Sequence, residues 1–368
     1  MLADREVRIS HALTVQRMEE FLSNVDDLTL ADYLDWKEFT SQVYGLKGRN
    51  RADDCVTLTA NMFHDIAGKR YLERHFNFDS IATVKQLVDD VKGAFLEMLS
   101  ENDWMDYKTK RRAELKLDFN EQNTYYEIVM AAEYWMQDRA FQKLDKLNTR
   151  DKFDVSVSEV NAFYDGSQNL IAIMAGMLQP PFFNVSLPRI LNYGALGVVA
   201  GHEITHGFDD IGASYDELGN KNNWWDDRTY RNFEWKKQCF DVQYGSIIVK
   251  DVHVAIDGKR TEGENIADNG GMRAAARVAA RLAARPSEQF IIAGLEDYTT
   301  LQYFFMHYAY IWCGSTRRAT LLNKLATDVH PPDMYRVNVV LSNQPEFGKA
   351  FGCQKGSPMY PEQTCTLW

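Results

Sequence analysis

Apolar residues recur at helical spacing through most of the chain. In its amino-terminal part, stripes of apolar positions predict helices over residues 12–46, 53–67, 80–117 and 121–147. Farther on, residues 301–312 are so rich in apolar and aromatic side chains that we expect a buried helix there. Helices therefore account for most of the predicted structure.

The pattern changes toward a period of two residues in a few places. Residues 155–164 alternate like a strand. The turn signal Asp165-Gly166 follows, and residues 170–173 are expected to return as the second strand of a β-hairpin. Residues 247–256 alternate in the same way and predict a further strand. The chain is thus expected to be mainly α with a small β-sheet. An extended peptide could add to an edge strand of the hairpin, although a plain structural hairpin would show the same pattern.

The composition is that of an ordinary globular protein. With 368 residues, of which 45% are hydrophobic, the chain can bury a large core in one big domain or two smaller ones. Its net charge of −11 argues against a nucleic-acid partner, for which a basic face is expected. The sequence contains no apolar run of about 18 residues that would span a membrane. Its first residues lack the apolar core of a signal peptide.

Residues 198–210 carry the pattern on which the functional argument depends. They predict an amphipathic helix with His202 and His206 one turn apart, so both imidazoles can reach a single ion. Glu203 lies beside them, where a carboxylate can take a proton from a metal-bound water. This is the His-Glu-x-x-His arrangement of zinc peptidases, although two histidines on a helix can also be ordinary surface residues.

A catalytic zinc site needs a third protein ligand and an open fourth position. Glu264 and Asp268 are again one helical turn apart. Glu264 is the candidate third ligand, and Asp268 could accept the free ring N–H of a ligating histidine, which would fix the tautomer of that histidine. The alternative is a solvated acidic helix start, where the helix dipole favours glutamate.

A series of short motifs runs through the chain from residue 161 onward. They are Asn161-Ala162-Phe163-Tyr164, His202 to Asp210, Glu264 to Gly271, Trp312-Cys313-Gly314, Asp328-Val329-His330-Pro331 with Arg336, and Cys365-Thr366-Leu367-Trp368. In order and spacing they resemble the neprilysin and endothelin-converting-enzyme family of zinc metallopeptidases. The resemblance is dense from about residue 150 onward, thinner before it, and closer to the neprilysin branch.

The resemblance implies a thermolysin-like zinc metallopeptidase catalytic lobe. One zinc ion per chain would be held by His202, His206 and Glu264. Glu203 would be the base that activates the zinc-bound water, and Asp268 would support the ligands.

The resemblance also implies residues that hold the substrate. Asn161 and Ala162 match family residues that hold the substrate backbone. His330 matches the residue that stabilises the developing oxyanion, and Arg336 matches one that contacts substrate. An apolar pocket for the residue after the cut is expected from Phe182, Val198, Val199, Ile311 and Trp312. Without the resemblance these five would simply be core residues. We therefore expect an endopeptidase that cleaves short peptides before bulky hydrophobic residues.

Members of this family are ectodomains, mostly anchored by one amino-terminal membrane helix, and the chain resembles their carboxy-terminal half. We expect residues 1–52 to be a helical remnant of the cleft-covering domain, 53–150 a helical connector and the start of the catalytic lobe, and 151–368 the zinc peptidase domain. The resemblance implies an extracellular or cell-surface location, as part of a type II membrane protein. Its partners would be peptide substrates and the amino-terminal half of the same protein. A truncated family member that binds zinc or peptide without efficient turnover is the alternative function.

The sequence contains five cysteines, an odd number. All of them can be free thiols in the cytosol, whereas in an exported protein at least one lacks a partner within the chain. In the family, the cysteines matching Cys239 and Cys365 pair with each other. Those matching Cys55, Cys313 and Cys353 pair with cysteines of the amino-terminal half. The resemblance thus implies one bridge within the chain and three unpaired thiols.

Overall fold

The computed structural model of the protein describes, apart from isolated positions nearer the amino terminus, residues 64–77, 80–117 and 157–368. The chain divides into two units, Met1–Met62 and Phe63–Trp368, and the helices and strands named below lie in the second. The helix expected over residues 121–147, and all but isolated positions of the one expected over 12–46, lie outside the described residues.

Three helices form the first described part of this unit. They are α1 (His64–His75), α2 (Ser80–Glu101) and α3 (Tyr107–Lys116). α2 buries Leu87, Val91 and Phe95 of its predicted apolar stripe. α3 begins after Asp106, whose carboxylate accepts backbone N–H groups of the first turn. The pattern of apolar positions therefore predicted the helical structure of residues 80–117 correctly.

The predicted hairpin is present but shorter than expected. β1 (Ala162–Asp165) pairs antiparallel with β2 (Leu170–Ile173). The prediction that the first strand includes residues 157–160 is wrong, because they form turns and bends. Their backbone bonds elsewhere, since the N–H of Gly176 donates to the carbonyl of Val157. Within the described part of the chain β1 pairs with no strand other than β2.

The rest of the unit is mostly helical. Its helices are α4 (Arg189–Asn192), α5 (Val198–His206), α6 (Asp227–Gly245), α7 (Glu262–Ala283), α8 (Thr300–Ile311), α9 (Arg318–Thr327), α10 (Asp333–Ser342) and α11 (Pro345–Ala350). A π-helical stretch, Tyr193–Gly197, joins α4 to α5. The expected mainly α fold is confirmed. Among the helices that the structure describes, none is long and apolar enough to cross a bilayer.

The strand expected over residues 247–256 is instead a second, very short hairpin. β3 (Ile248–Val249) pairs antiparallel with β4 (Val254–Ala255). Between them the backbone N–H of His253 donates to the carbonyl of Val249, and His253 has a positive φ of 58°. The chain therefore reverses direction inside the segment that alternation predicted to be one strand.

Helices α5 and α7 touch through their backbones. A Cβ at Gly201 would lie 2.8 Å from the Cα of Gly271, and a Cβ at Gly271 would lie 2.4 Å from the backbone nitrogen of His202. Only glycine permits so close an approach. Because α5 carries the His-Glu-x-x-His motif and α7 carries Glu264, this contact places the two sets of candidate ligands side by side.

The carboxy-terminal tail is fixed to the core. The structure contains the disulfide that the resemblance implied, Cys239–Cys365, which joins α6 to the tail with a Cα–Cα distance of 5.6 Å. The buried ring of Trp368 has its centroid 5.6 Å from that of Phe208, directly after α5, and 5.4 Å from that of Trp104. The hydrophobic core therefore includes the tail.

Two further cysteines are described. Cys313 is exposed and Cys353 is half-buried, and both are free thiols. Cys55 lies outside the described residues.

Candidate active site

Three side chains from two helices converge on one point. His202 and His206 project from the same face of α5, with their Nε2 atoms 2.9 Å apart. Glu264, in the first turn of α7, places its Oε2 3.2 Å from Nε2 of His202 and 3.5 Å from Nε2 of His206. The structure therefore brings the three predicted metal ligands together.

The distances between these three atoms fit a tetrahedral zinc site. Ligand atoms about 2.1 Å from a tetrahedral Zn²⁺ lie about 3.4 Å from one another. The observed separations of 2.9, 3.2 and 3.5 Å fall around that value. Oε2 of Glu264 is buried and accepts no hydrogen bond of normal geometry from the residues that the structure describes. Two imidazoles and a carboxylate are also a common donor set of catalytic zinc sites, so the residues fit the ion.

A second carboxylate, that of Glu203, lies near the same two histidines. Ligand atoms of His202, Glu203 and His206 all lie within 4.8 Å of one another, so proximity alone would allow Glu203 to be the third ligand. The shorter distances from Glu264 to both ring nitrogens favour Glu264 instead. Burial is the largest influence on Glu203 and raises its pKa, which suits a carboxylate that must accept a proton.

The other ring nitrogen of each histidine faces an aspartate. Nδ1 of His202 lies 2.8 Å from Oδ1 of Asp268, and Nδ1 of His206 lies 2.6 Å from Oδ2 of Asp209. When each Nδ1–H donates to its carboxylate, the Nε2 lone pair is left for an ion. Asp268 was expected in this position. Asp209 was not, although its place three residues after His206 is a helical-face spacing that would have suggested it.

Arg336 holds Asp268 with two hydrogen bonds. Its Nε donates to Oδ2 at 2.8 Å and its Nη2 donates to Oδ1 at 2.7 Å. The guanidinium carbon also lies 4.2 Å from the ring centroid of Trp312. Burial raises the pKa of Asp268, but the Arg336 guanidinium outweighs it and the pKa falls to about 2, so the carboxylate stays charged. From sequence we expected Arg336 to contact substrate. The structure adds that two of its nitrogens are committed to Asp268.

His330 reaches the site from the loop between α9 and α10. Its Nε2 lies 3.2 Å from Oε2 of Glu264. Its Nδ1 lies 2.8 Å from Oδ1 of Asp328, and that oxygen also accepts the backbone N–H of His330, so Asp328 fixes the ring. The His330 side chain is 41% exposed, which leaves it accessible to a bound molecule.

The hairpin lies next to the carboxyl end of α5. A Cβ at Gly207 would be 3.5 Å from the ring of Tyr164 in β1. Asn161 is exposed directly before β1, and its Oδ1 accepts the backbone N–H of the buried Ala162. Asn161 and Ala162, which we expected to hold the substrate backbone, thus lie at the start of β1, the strand next to α5.

The residues expected to form the apolar pocket pack against the hydrophobic core. Those that remain half-buried are Phe182, Val199, Ile311 and Trp312. Phe182 adjoins the segment leading into α5, since its carbonyl accepts the N–H of Leu196. Val198 is only 3% exposed, so its side chain offers little contact surface to a bound molecule.

Comparison with known proteins assigns this arrangement to a family. Residues 161–367 match the family model described as Peptidase family M13, and residues 10–127 match its amino-terminal model. The chain belongs to peptidase family M13. The match at residues 161–367 includes every residue that we expected at the site, and the resemblance to neprilysin-type metallopeptidases is confirmed.

Several M13 relatives are similar over most of this chain. Neprilysin-11 of Caenorhabditis elegans is 33% identical over 99% of this chain and 48% of its own length. Human neprilysin is 34% identical over 85% of this chain and 45% of its own length. The chain thus spans about half the length of these relatives.

Solved M13 structures share the fold. The zinc metalloprotease Zmp1 of Mycobacterium tuberculosis, in complex with an inhibitor, superposes with a TM-score of 0.77 and 32% identity over 87% of this chain and 51% of that one. PepO of Lactobacillus rhamnosis gives a TM-score of 0.72 and 29% identity over 84% of this chain and 50% of that one.

Proposed function

We propose that the protein is a zinc-dependent endopeptidase that hydrolyses short peptides. The observation that supports this most directly is the convergence of two imidazoles and the Glu264 carboxylate, with Glu203 beside them. Membership of the M13 family agrees with that chemistry. One zinc ion per chain would be held by His202, His206 and Glu264.

Glu203 is proposed as the base. When bound, Zn²⁺ would polarise the scissile carbonyl and lower the pKa of a water molecule. Glu203 accepts a proton from the attacking water and then gives it to the leaving amine, a role that suits a buried carboxylate with a raised pKa. Asp268 keeps His202 in the tautomer that presents Nε2.

His330 and Arg336 are proposed as the donors that stabilise the developing oxyanion and hold the peptide. His330 is oriented by Asp328 and is accessible from solvent. Arg336 has donors left beyond the two that bind Asp268, because a guanidinium carries five N–H groups. Donors fixed in advance by their own partners are effective, since they need not reorganise as charge develops.

The substrate backbone is proposed to lie along β1, with Asn161 and Ala162 at one end. An extended peptide would form main-chain hydrogen bonds with the open edge of the strand. This arrangement favours short, unstructured peptides over folded proteins.

The decisive experiment changes Glu203→Gln, which removes the base while preserving shape. We expect zinc content to stay near one ion per chain and peptidase activity to fall by about 10²- to 10⁴-fold. Glu362→Gln, at a surface glutamate that pairs with Lys355, is the matched control and should keep full activity. Wild-type turnover by Glu203→Gln would contradict the mechanism. Wild-type protein that binds zinc and peptide without turnover would support a non-catalytic family member instead.

The apolar pocket predicts cleavage before Phe, Leu or Ile. We expect mass-spectrometric mapping of cuts in a mixed peptide library to show bulky hydrophobic residues immediately after the cut. The proposed lining of the pocket, Phe182, Ile311 and Trp312, consists of half-buried apolar residues. Ile311→Ala should shift the preference toward larger rings by enlarging the pocket, whereas Leu322→Ala, at an exposed position in α9, should not. Dominant cleavage before charged residues would refute the pocket assignment.

We further propose that the chain acts outside the cell together with the polypeptide that its relatives carry in their other half. The disulfide supports an oxidising compartment. The chain covers 48% of neprilysin-11 and 45% of human neprilysin, which supports a second lobe in the working enzyme.

A further inference from the structure

Lys116, the last residue of α3, has an ammonium group enclosed by the protein. The residue is 1% exposed. Its Nζ donates to the carbonyls of Gly207, Gly212 and Tyr215, at 2.6, 2.9 and 2.8 Å. An ammonium has three hydrogens, and this tripod uses all of them.

The three carbonyls bracket the loop that carries Asp209. Oδ1 of Asp209 accepts the backbone N–H groups of Ile211 and Gly212, at 2.8 and 2.6 Å. Its other oxygen, Oδ2, faces Nδ1 of His206. The loop is so tight that a Cβ at Gly212 would lie 1.8 Å from the carbonyl oxygen of His206. The position of the Asp209 carboxylate therefore depends on a loop whose carbonyls converge on Lys116.

Lys116 is also tied to the hairpin proposed to hold substrate. Its backbone carbonyl accepts a hydrogen bond from Nδ2 of Asn169, at 2.9 Å. Asn169 lies in the turn between β1 and β2 with a positive φ of 47°, and its Oδ1 accepts the hydroxyl of Tyr164 in β1 at 3.0 Å. Lys116 thus connects the carboxyl end of α5 to the hairpin that contains β1.

We propose that Lys116 is a positioning residue for the candidate metal centre and for β1, the strand proposed to hold substrate. It acts on the metal centre through Asp209, which orients His206. This inference rests on the proposed zinc peptidase function. The ammonium holds Gly207 and Gly212 on either side of Asp209, so the carboxylate stays in place to receive the Nδ1–H of His206. Such support of a ligating histidine by an outer hydrogen-bond partner typically contributes about 10- to 100-fold in metal affinity.

A purely structural role for Lys116 makes a different prediction. The rings of Phe208 and Trp224 lie 5.3 and 5.4 Å from Nζ, so removing the ammonium disturbs packing as well as hydrogen bonds. A buried lysine that served only stability would lower the free energy of unfolding without changing how tightly the folded protein retains zinc. Metal retention by folded protein therefore separates the two roles.

The test uses the full chain with Lys116→Met, which keeps most of the stem and removes the charge. We expect zinc affinity to fall about 10- to 100-fold, zinc loss to a chelator to accelerate, and KM for peptide to rise. Thr109→Val is the matched control, because Thr109 is also a buried residue of α3 and its hydroxyl donates to the carboxylates of Asp106 and Asp226, which lie outside the loop that carries Asp209. It should lose stability while its zinc affinity stays within about threefold of wild type.

A double-mutant cycle with Asp209→Asn tests whether Lys116 affects zinc binding through Asp209. If Lys116 acts through Asp209, the losses in zinc affinity of Lys116→Met and Asp209→Asn are not additive. If Lys116→Met fails to fold, Lys116→Arg replaces it in both experiments, since arginine keeps the charge but its planar fork cannot form the tripod. Wild-type zinc retention in the folded variant, or additive losses in the cycle, would overturn the inference. Failure of wild-type protein itself to bind zinc would instead refute the proposed function.

Discussion

The carboxylate of Asp210 is partly buried and lies near other acidic groups, both of which disfavour its charged form. Burial, followed by the charges of Asp209 and Glu262, raises its pKa from 3.8 to about 6. Its Oδ1 accepts no hydrogen bond from the described part of the chain. That oxygen also lies 2.5 Å from where a Cβ at Gly263 would be, directly before the candidate ligand Glu264. The protein therefore carries a charge close to its candidate metal centre at a cost in stability.

Asp210→Asn is expected to stabilise the protein at high pH. Because the folded state holds the proton more tightly, the contribution of Asp210 to stability is complete below pH 3.8 and is lost as the pH rises through about 6. Removing the charge should raise the free energy of unfolding at pH 8 by about 1–2 kcal/mol, after a discount for partial exposure. The gain should vanish near pH 4.

The measurement is urea unfolding at both pH values with a chelator present, so that metal loss does not contribute. Asp103→Asn, at an exposed position, is the control and should show no such dependence on pH. A constant difference between Asp210→Asn and wild type at both pH values would show that charge burial is not the cause.

Residues at the site were predictable from sequence where the chemistry is local. His202 and His206 share one helix, and helical spacing alone places them together. The partners of Lys116 and Arg336 were not predictable in this way. Lys116 bonds to carbonyls 91–99 residues away, and Arg336 bonds to an aspartate 68 residues away. The periodicity of apolar residues does not show contacts between residues that are so far apart in the sequence.

The hairpins show where alternation fails as a predictor of elements. The alternating residues before β1 bond to the turn after β2, and a Cβ at Gly176 would lie 2.3 Å from the carbonyl oxygen of Glu159. The reversal between β3 and β4 is made at His253, without a glycine or proline to mark it. Apolar periodicity over long helices such as α2 and α8 was reliable because many positions contribute to it.

The contact between α5 and α7 predicts that Gly271→Ala will damage the site. The added Cβ would lie 2.4 Å from the backbone nitrogen of His202, and backbone cannot move aside as a flexible side chain can. We expect a loss of about 1–3 kcal/mol in the free energy of unfolding, as in other overpacked cores. Zinc affinity should also fall, because the helices that carry the ligands move apart.

Gly93→Ala in α2 is the matched control for Gly271→Ala. A Cβ at Gly93 meets no atom within 4 Å, so alanine should be neutral or stabilising by about 0.5–1 kcal/mol through its better helix propensity. Denaturant unfolding and competitive zinc titration measure both variants. Equal zinc affinity in Gly271→Ala and wild type would show that the site tolerates a wider separation of these helices.

For the whole molecule, the cysteines make a prediction that thiol chemistry can check. The Cys239–Cys365 bridge closes a loop with a sequence separation of 126, which contributes about 4–5 kcal/mol in the chain-entropy model. Of the five cysteines, three should therefore react in folded protein, with the exposed Cys313 among the first. A count of one reactive thiol would show a different pairing and a self-sufficient fold.

The fold class and the family could be predicted from sequence, whereas the division of the chain into domains stays a prediction. Motifs from residue 161 onward identified the family because each combines a chemical role with a fixed spacing. The boundaries expected at residues 52 and 150 fall outside the described residues. Helical periodicity marks individual helices, but it does not show which of them fold together.

The close contact between the backbones of Gly201 and Gly271 also bears on which ions the candidate site could hold. Divalent transition metals follow a common order of affinity, so a protein selects among them by geometry. Here the distance between the imidazoles on one helix and the carboxylate on the other is fixed by main chain, which cannot extend. A calcium ion, which needs six to eight oxygens at about 2.3–2.6 Å, would require a cage that two helices in contact cannot open. The proposed zinc site would thus owe part of its selectivity against larger ions to two residues that have no side chain.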